Sequence, residues 1–345
     1  MAQRPSSTSS TDTAMSISLS RARLDELLDR AQGKRIAVIG DAMLDVYLTG
    51  DVERISPEAP VPVVRVRERK HALGGAANVA QNVVAIGAVC DLVAAIGDDR
   101  GGATLRTMLG AIGEEGRSLV TVDRPTTQKT RIVARSQQLA RVDEESDDDL
   151  DGDEVEKLLE AVRAAVECAD ALVLEDYNKG VLVSRVIRSA IERASARGLP
   201  IVVDPKFRNF FEYRGATVFK PNRRELEAAL GAAVNVDEPG AMTRTLSRLG
   251  VEHILLTLGD KGMALFGADG ELARIPTVAR EVYDVVGAGD TVTAYLAAIL
   301  AAGGSTSEAA EIANVAAGIE VGKLGAAVVT AEEVREYCGT HLLKP

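Results

Sequence analysis

The sequence predicts an α/β protein: a mostly parallel central sheet between two layers of helices, with a small β-sheet attached. Three observations carry that prediction. Short apolar runs alternate with helical patterns along most of the chain, the sequence form of a parallel sheet covered on both faces. Most of those runs end in a polar or glycine-bearing corner, as expected where a ligand crevice lies outside the carboxyl ends of parallel strands. Two segments, about 46–72 and 127–142, instead alternate apolar and charged residues, the pattern of a half-exposed antiparallel sheet.

Taken in order, residues 1–20 are rich in Ser and Thr and lack an apolar signal core, so they are expected to form a disordered tail ahead of a domain spanning 21–345. Strands are predicted over 35–39, 91–96, 171–174, 200–203, 217–219 and 253–258. Helices are predicted near 76–88, 102–112, 155–168, 184–196, 223–230, 241–249, 290–302 and 307–323. After Gly262 the pattern reads as a hairpin, 263–266 and 271–275, around Asp269-Gly270. The acidic stretch from Asp143 to Glu156 reads as a solvated connection with no chemistry assigned to it.

Composition narrows the function classes. The chain has 345 residues, a net charge of −11 and 46% apolar residues. That charge argues against a nucleic-acid or anionic-membrane partner, but one local basic pocket is enough for an anionic substrate. No apolar run is long enough to span a membrane. Three scattered cysteines fit a reducing cytoplasm and suggest neither a disulfide framework nor a metal site.

The most informative segment is Asp284-Val285-Val286-Gly287-Ala288-Gly289-Asp290-Thr291, which runs into an apolar helix. Its glycines allow a tight turn at a helix start, where unpaired N–H groups and the positive end of the dipole attract phosphate. Asp290 among those amides suits a general base for a hydroxyl attacking phosphorus. The bland alternative is a glycine-containing cap with an acid serving the dipole. Gly74-Gly75-Ala76-Ala77-Asn78 is a second glycine-rich helix start. It serves equally well for helix packing or for close approach of a hydroxylated ligand. Asp41 and Asp45, flanking the end of the first strand, suit sugar diols or are solvated loop acids. Asn222 and Glu225 have capping-box spacing, which is a competent structural explanation; they could also place waters around magnesium on nucleotide phosphates. Thr257-Leu258-Gly259-Asp260-Lys261-Gly262 offers another close-approach loop, whereas Asn314 reads by itself as an ordinary polar residue. There is no P-loop signature, and Gly287-Ala288-Gly289 lacks the further glycine and distal acid of a dinucleotide site.

In this order and at these separations, Gly74-Gly75-x-x-Asn78, Asn222-x-x-Glu225 and Asp284-x-x-Gly287-Ala288-Gly289-Asp290 resemble the ribokinase (PfkB-type) carbohydrate kinase family. The resemblance runs roughly from Arg35 to Thr330 and implies a ribokinase-like three-layer α/β/α fold, with the two alternating segments forming a β lid. Four further stretches are similar to the heptose 7-phosphate branch of that family: Arg54 to Val63, Gln137 to Asp143, Asp176 to Gly180 and Val321 to Gly325. Met43 stands where many relatives carry Asn, which argues against free ribose.

The resemblance implies ATP as phosphoryl donor, Mg2+ held through waters near Asn222 and Glu225, and transfer to an anomeric hydroxyl. Asp290 would take the proton and the amides of Gly287, Ala288 and Gly289 would stabilise the migrating group. Asn222, Arg223, Arg224, Glu225, Thr257, Gly259, Gly262 and Asn314 would bind nucleotide and magnesium. Asp41, Asp45, Gly75, Asn78 and Asp204 would hold sugar hydroxyls, and Arg141, Lys179 and Lys206 would meet the substrate's own phosphate. A cytoplasmic homodimer paired through the lid, supplying activated heptose for lipopolysaccharide core, completes the expectation. In some relatives such a kinase is joined to an adenylyltransferase; with the sequence ending at Pro345, that activity is expected on a separate chain. The rival readings are another sugar or sugar-phosphate kinase, a catalytically silent sugar sensor of the same fold, and a nicotinamide-dependent dehydrogenase.

Overall fold

A computed structural model describes residues 19–341, apart from 115, 136, 237, 268–271, 280–284 and 324–326. The Asp269-Gly270 turn, Asp284, and the Leu324-Gly325 end of one quoted stretch therefore lie outside the described residues.

The chain opens with α1 (Arg21–Ala31), then β1 (Arg35–Gly40), β2 (Ala42–Ile55), β3 (Pro62–Gly75), α2 (Ala76–Ile86), β4 (Val89–Gly97), α3 (Arg100–Ala111) and β5 (Leu119–Val122). Next come β6 (Gln128–Ala134), β7 (Gln137–Glu144), α4 (Gly152–Cys168), β8 (Ala171–Glu175), α5 (Ser184–Ala196), β9 (Ile201–Asp204) and β10 (Val218–Phe219). The remainder is α6 (Arg223–Leu230), α7 (Pro239–Leu249), β11 (His253–Thr257), β12 (Met263–Gly267), β13 (Leu272–Ile275), α8 (Ala288–Ala301), α9 (Thr306–Glu320) and α10 (Ala331–His341).

The large sheet has the order β13-β12-β11-β10-β9-β8-β1-β4-β5, parallel from β11 to β5 and antiparallel at the β12 and β13 edge. Its strands are buried on both faces because side chains alternate with period two. In β1, Ile36 and Val38 pack into one apolar core with α1, α2, α8, α9 and α10. Ala37 and Ile39 pack into the opposite core with α4, α5 and α7. A three-layer α/β/α arrangement results.

The second sheet, order β3-β2-β6-β7, grows directly out of β1. Only Asp41 separates β1 from β2, so β1's carboxyl end and the small sheet share one corner. The alternating segments are longer than expected: β2 and β3 reach back to Ala42 and forward to Gly75, and β7 extends to Glu144. In-register pairing carries them past the visible alternation, with Ala42 opposite Gly75 and Gln128 opposite Glu144.

Three elements were not anticipated. In α1, Leu24, Leu27, Leu28 and Ala31 form a buried stripe behind the Ser20 cap, and Arg23 grips Glu308 of α9 through Nε at 2.7 Å. The four-residue β5 and the C-terminal α10, where Glu333 accepts from the Thr330 amide at 2.8 Å, are held mainly by tertiary packing.

Candidate active site

The carboxyl ends of β1, β8, β9, β10 and β11 converge on the start of α8, and that convergence builds the site. Gly287 caps α8 with φ 98°, a conformation that L side chains rarely adopt. A Cβ there would come within 2.7 Å of Glu320 Oε1 and 3.0 Å of Asn78 Nδ2. The first amides of any helix lack intrahelical acceptors, so those of Ala288, Gly289 and Asp290 remain available at this end. Gly75, with φ 56°, occupies the start of α2 in the same way: a Cβ would sit 2.4 Å from the carbonyl of Asp41.

Asp290 is buried, 4% exposed, and aimed between two donors. Asn78 Nδ2 donates to its Oδ2 at 2.7 Å, and the Tyr177 hydroxyl donates to its Oδ1 at 3.0 Å. Burial pushes the carboxyl up to about 6 with help from the charge of Asp204, while the two hydrogen bonds and Lys220 pull against that rise. A carboxylate with that pKa can accept a proton near neutral pH and release it again. Asn82 fixes the neighbourhood: its Oδ1 accepts from the Thr291 hydroxyl at 3.1 Å, and its Nδ2 donates to the Asn78 carbonyl at 3.0 Å.

Asp290, Asp204 and Glu175 bring carboxylate oxygens within 4.8 Å of one another, all three residues buried. Lys220 offsets that charge by donating from Nζ to Asp204 Oδ2 at 2.8 Å. Among the described residues, neither oxygen of Glu175 has a hydrogen-bond partner. Burial first, and then the charges of Asp204 and Asp290, drive its pKa well up. Glu175 therefore favours its protonated form more than an ordinary carboxyl does.

Sequence reasoning had put Asp204 at the sugar but missed Tyr177, Lys220 and Glu175. All three stood inside the strand-end corners already noted, and the polarity of those corners was the available signal.

On the other side of α8, Thr257, Gly259, Gly262, Gly289 and Asn314 line a cavity of about 310 Å³ whose remaining walls are largely apolar. Four of the residues expected at the nucleotide are thus brought together with the glycine turn. Asn314 is anchored there by donating to the Pro276 carbonyl at 2.8 Å. An adjoining cavity of about 620 Å³ shares Thr257 and Gly259 and adds Asn222, Arg223, Arg224, Lys261 and Arg274. One compartment is apolar enough for a flat base, and the next is cationic enough for phosphates.

Asn222 and Glu225 do form a complete capping box, with both reciprocal hydrogen bonds at 2.9 Å. The other Glu225 oxygen accepts from Lys206 Nζ at 2.6 Å. Lys206 also lies over the Tyr177 ring, 4.9 Å from its centroid, so it stands between the nucleotide side and the acidic cluster. A carboxylate has about four lone-pair positions, so Glu225 retains capacity for waters of a hydrated magnesium ion. Asn222 and Glu225 therefore fit that ion through water.

The residues expected at the sugar and its phosphate divide. Asn78 donates to Asp290, and Gly75 lies against the Asp41 carbonyl and the Tyr177 ring. Asp45 is buried beside Gly74 and accepts from Arg131 Nη1 at 2.5 Å. Asp41 holds part of the backbone. Its two oxygens accept from the amides of Tyr177 (2.8 Å), Lys179 (3.0 Å) and Val181 (3.2 Å), so it anchors the loop that carries Tyr177. Arg141 is exposed on β7 and paired with Asp143 at 2.8 Å. Lys179 is paired with Glu145 and Asp147, each at 2.7 Å.

This fold and this acid at a glycine-capped helix start define a phosphoryl-transfer enzyme of the ribokinase-like class. Residues 34–333 match the pfkB family of carbohydrate kinases, and the chain belongs to that family. It is 46% identical over 317 residues to a Rhodospirillum rubrum protein named bifunctional protein HldE, covering 90% of this chain and 63% of that one. The chain thus spans less than two thirds of the length of that relative. Among solved structures it is similar to Arabidopsis thaliana ribokinase complexed with ribose and ATP, at TM-score 0.69 and 20% identity over 88% of this chain and 98% of that one. It is also similar to Escherichia coli phosphofructokinase-2 in complex with potassium, at TM-score 0.73 and 17% identity over 90% and 99%. Those two likenesses bear on the fold, and the chain shares it.

Proposed function

We propose that this sugar kinase transfers the γ-phosphoryl group of ATP to the anomeric hydroxyl of D-glycero-β-D-manno-heptose 7-phosphate. The observation that carries the reading is Asp290: a buried carboxylate with a pKa near 6, between the glycine turn that borders the nucleotide-sized cavity and the Asn78–Tyr177 side of the cleft. Asp290 takes the anomeric proton as that oxygen attacks the γ-phosphorus, and the bond to the β-phosphate oxygen breaks to leave ADP. The amides of Gly287, Ala288 and Gly289 face the charge that spreads over the migrating group; removing one donor of this kind typically costs about 10²–10³ in rate. Arg223 and Arg224 add positive charge on the phosphate side. Magnesium, held through waters near Asn222 and Glu225, would neutralise phosphate charge there. The preference for a heptose phosphate over other sugars is supported by the four quoted stretches, and Met43 argues against free ribose.

The small sheet serves as a lid over the sugar. Ile55, Val61, Val66, Leu139 and Val142 are exposed on it, an apolar surface suited to pairing with the same sheet of a second copy. Among the described residues no helix is long and apolar enough to cross a membrane, which fits the proposed cytoplasmic location.

The decisive experiment is a panel of sugars and sugar phosphates with ATP and magnesium, with the product's new phosphate located by NMR. Heptose 7-phosphate should turn over best and gain its phosphate at C1; faster turnover of a hexose phosphate would overturn the substrate assignment.

A further inference from the structure

The acidic stretch after β7, to which the sequence assigned no chemistry, lies on the cations of the sugar side. Lys129 Nζ and Lys179 Nζ both hold Glu145, at 2.9 Å and 2.7 Å, one lysine on each carboxylate oxygen. Lys129 comes from β6 of the small sheet and Lys179 from the loop after β8, so Glu145 bridges two elements that Asp41 and Arg124 also bring together. Asp143 lies 3.7 Å from Lys129, and Asp147 lies 2.7 Å from Lys179. The lysine side chains are only 15% and 13% exposed.

This cluster borders the proposed sugar site from both sides. Lys129 is the in-register partner of Asp45 across the β2–β6 ladder, which places it on the same face of the small sheet. Lys179 follows by two residues the tyrosine that donates to Asp290, and its own amide is held by Asp41. Two partly buried ammonium groups this close repel unless an anion lies between them. Here a glutamate supplies that anion. Burial alone would raise the Glu145 carboxyl, but the hydrogen bonds from Lys179 and Lys129 outweigh it and hold the group below its ordinary range. A phosphate dianion matches two lysines in charge better than one carboxylate does, and it offers more acceptor oxygens. Glu145 can also leave: it is the first residue past β7, in an irregular stretch that runs to Gly152.

We propose that Lys129 and Lys179 form the seat for the non-reacting phosphate of a sugar-phosphate substrate, and that Glu145 is a built-in stand-in for that phosphate, displaced when the substrate binds. This rests on the kinase reading above and adds Lys129 and Glu145 to the site. It also takes Lys206, committed to Glu225, and Arg141, paired with Asp143, away from direct contact with that phosphate.

The test is steady-state kinetics at saturating ATP and magnesium, with heptose 7-phosphate and with the unphosphorylated heptose. Removing a competing anion should lower the Michaelis constant of Glu145→Gln for heptose 7-phosphate about threefold or more, while truncating one of two phosphate-binding cations in Lys129→Ala should raise it about tenfold or more. Neither variant should shift the Michaelis constant for unphosphorylated heptose or for ATP, a discrimination that a merely structural role would not produce. Inorganic phosphate should compete with heptose 7-phosphate more strongly in Glu145→Gln than in the wild type. If Glu145→Gln leaves the constant unchanged or raises it while the enzyme still prefers the phosphorylated sugar, the stand-in is wrong and the kinase reading survives. If the wild type uses both sugars equally well, the sugar-phosphate reading itself fails.

Discussion

The hydroxyl of Tyr177 donates to Oδ1 of Asp290 at 3.0 Å, across 113 positions of sequence. The same loop is held by Asp41 through three backbone amides. The proposed base is thus oriented by a side chain that is itself positioned by a carboxylate at the end of β1.

Asp290→Asn keeps the shape of the side chain and removes its ability to accept a proton. General bases contribute about 10²–10⁴ in rate, so turnover should fall by roughly that factor or more while ATP binding persists. Steady-state assays together with nucleotide titration by calorimetry check this. Turnover like that of the wild type would refute the catalytic assignment.

The pH profile should carry the same residue's signature. Asp290 works only when ionised, so kcat/KM should rise with pH through about 6 and level off above it. Stability moves the opposite way. The folded-state pKa lies above the ordinary aspartate value of 3.8, so the native state binds the proton more tightly than the unfolded chain. Stability contributed by this group is therefore lost as pH rises from about 4 to about 6, on the order of 3 kcal/mol in all. Denaturant melts should show Asp290→Asn gaining on the wild type at pH 8 and not at pH 4.

Tyr177→Phe removes one of the two hydrogen bonds that favour the ionised form of Asp290. The acidic limb of the rate profile should move upward by roughly half to one pH unit, because one such hydrogen bond is worth about 1 kcal/mol. Rates at pH 8 should change far less than rates at pH 6. A limb that stays in place would show that the hydroxyl does not influence the base.

Asp41→Ala strips the acceptor from three buried or half-buried amides at 177, 179 and 181. Each unsatisfied amide costs about 1–3 kcal/mol, so denaturant melts should register a loss of several kcal/mol. Hydrogen exchange should localise the loosening to the loop after β8. A change confined to sugar affinity, with stability intact, would instead return Asp41 to the substrate.

Local pattern made part of this site legible. Gly287, Ala288, Gly289 and Asp290 are contiguous, and a helix start exposes its amides whatever surrounds it. Asn222 and Glu225 are three residues apart, and their capping box closed as the spacing implied. Tyr177, Lys220 and Glu175 carried only the general polarity of the strand-end corners, since each matters through partners on other elements. The anchoring of three amides by Asp41 was hidden for the same reason: a carboxylate at a strand end looks the same whatever donors the fold brings to it. Helices α1 and α10 bury one stripe against other elements, and propensity alone marks such surfaces weakly.

By itself, the sequence determined the layered α/β architecture, the phosphate-attracting turn and the acid beside it, because periodicity and helix-start chemistry are local properties of neighbouring residues. Tertiary structure decided which side chains surround Asp290, which carboxyls burial pushes toward their protonated form, and which lysines lie beneath Glu145. Those outcomes depend on burial and on charges brought within a few ångströms by the parallel sheet, and neither quantity exists until the chain has folded.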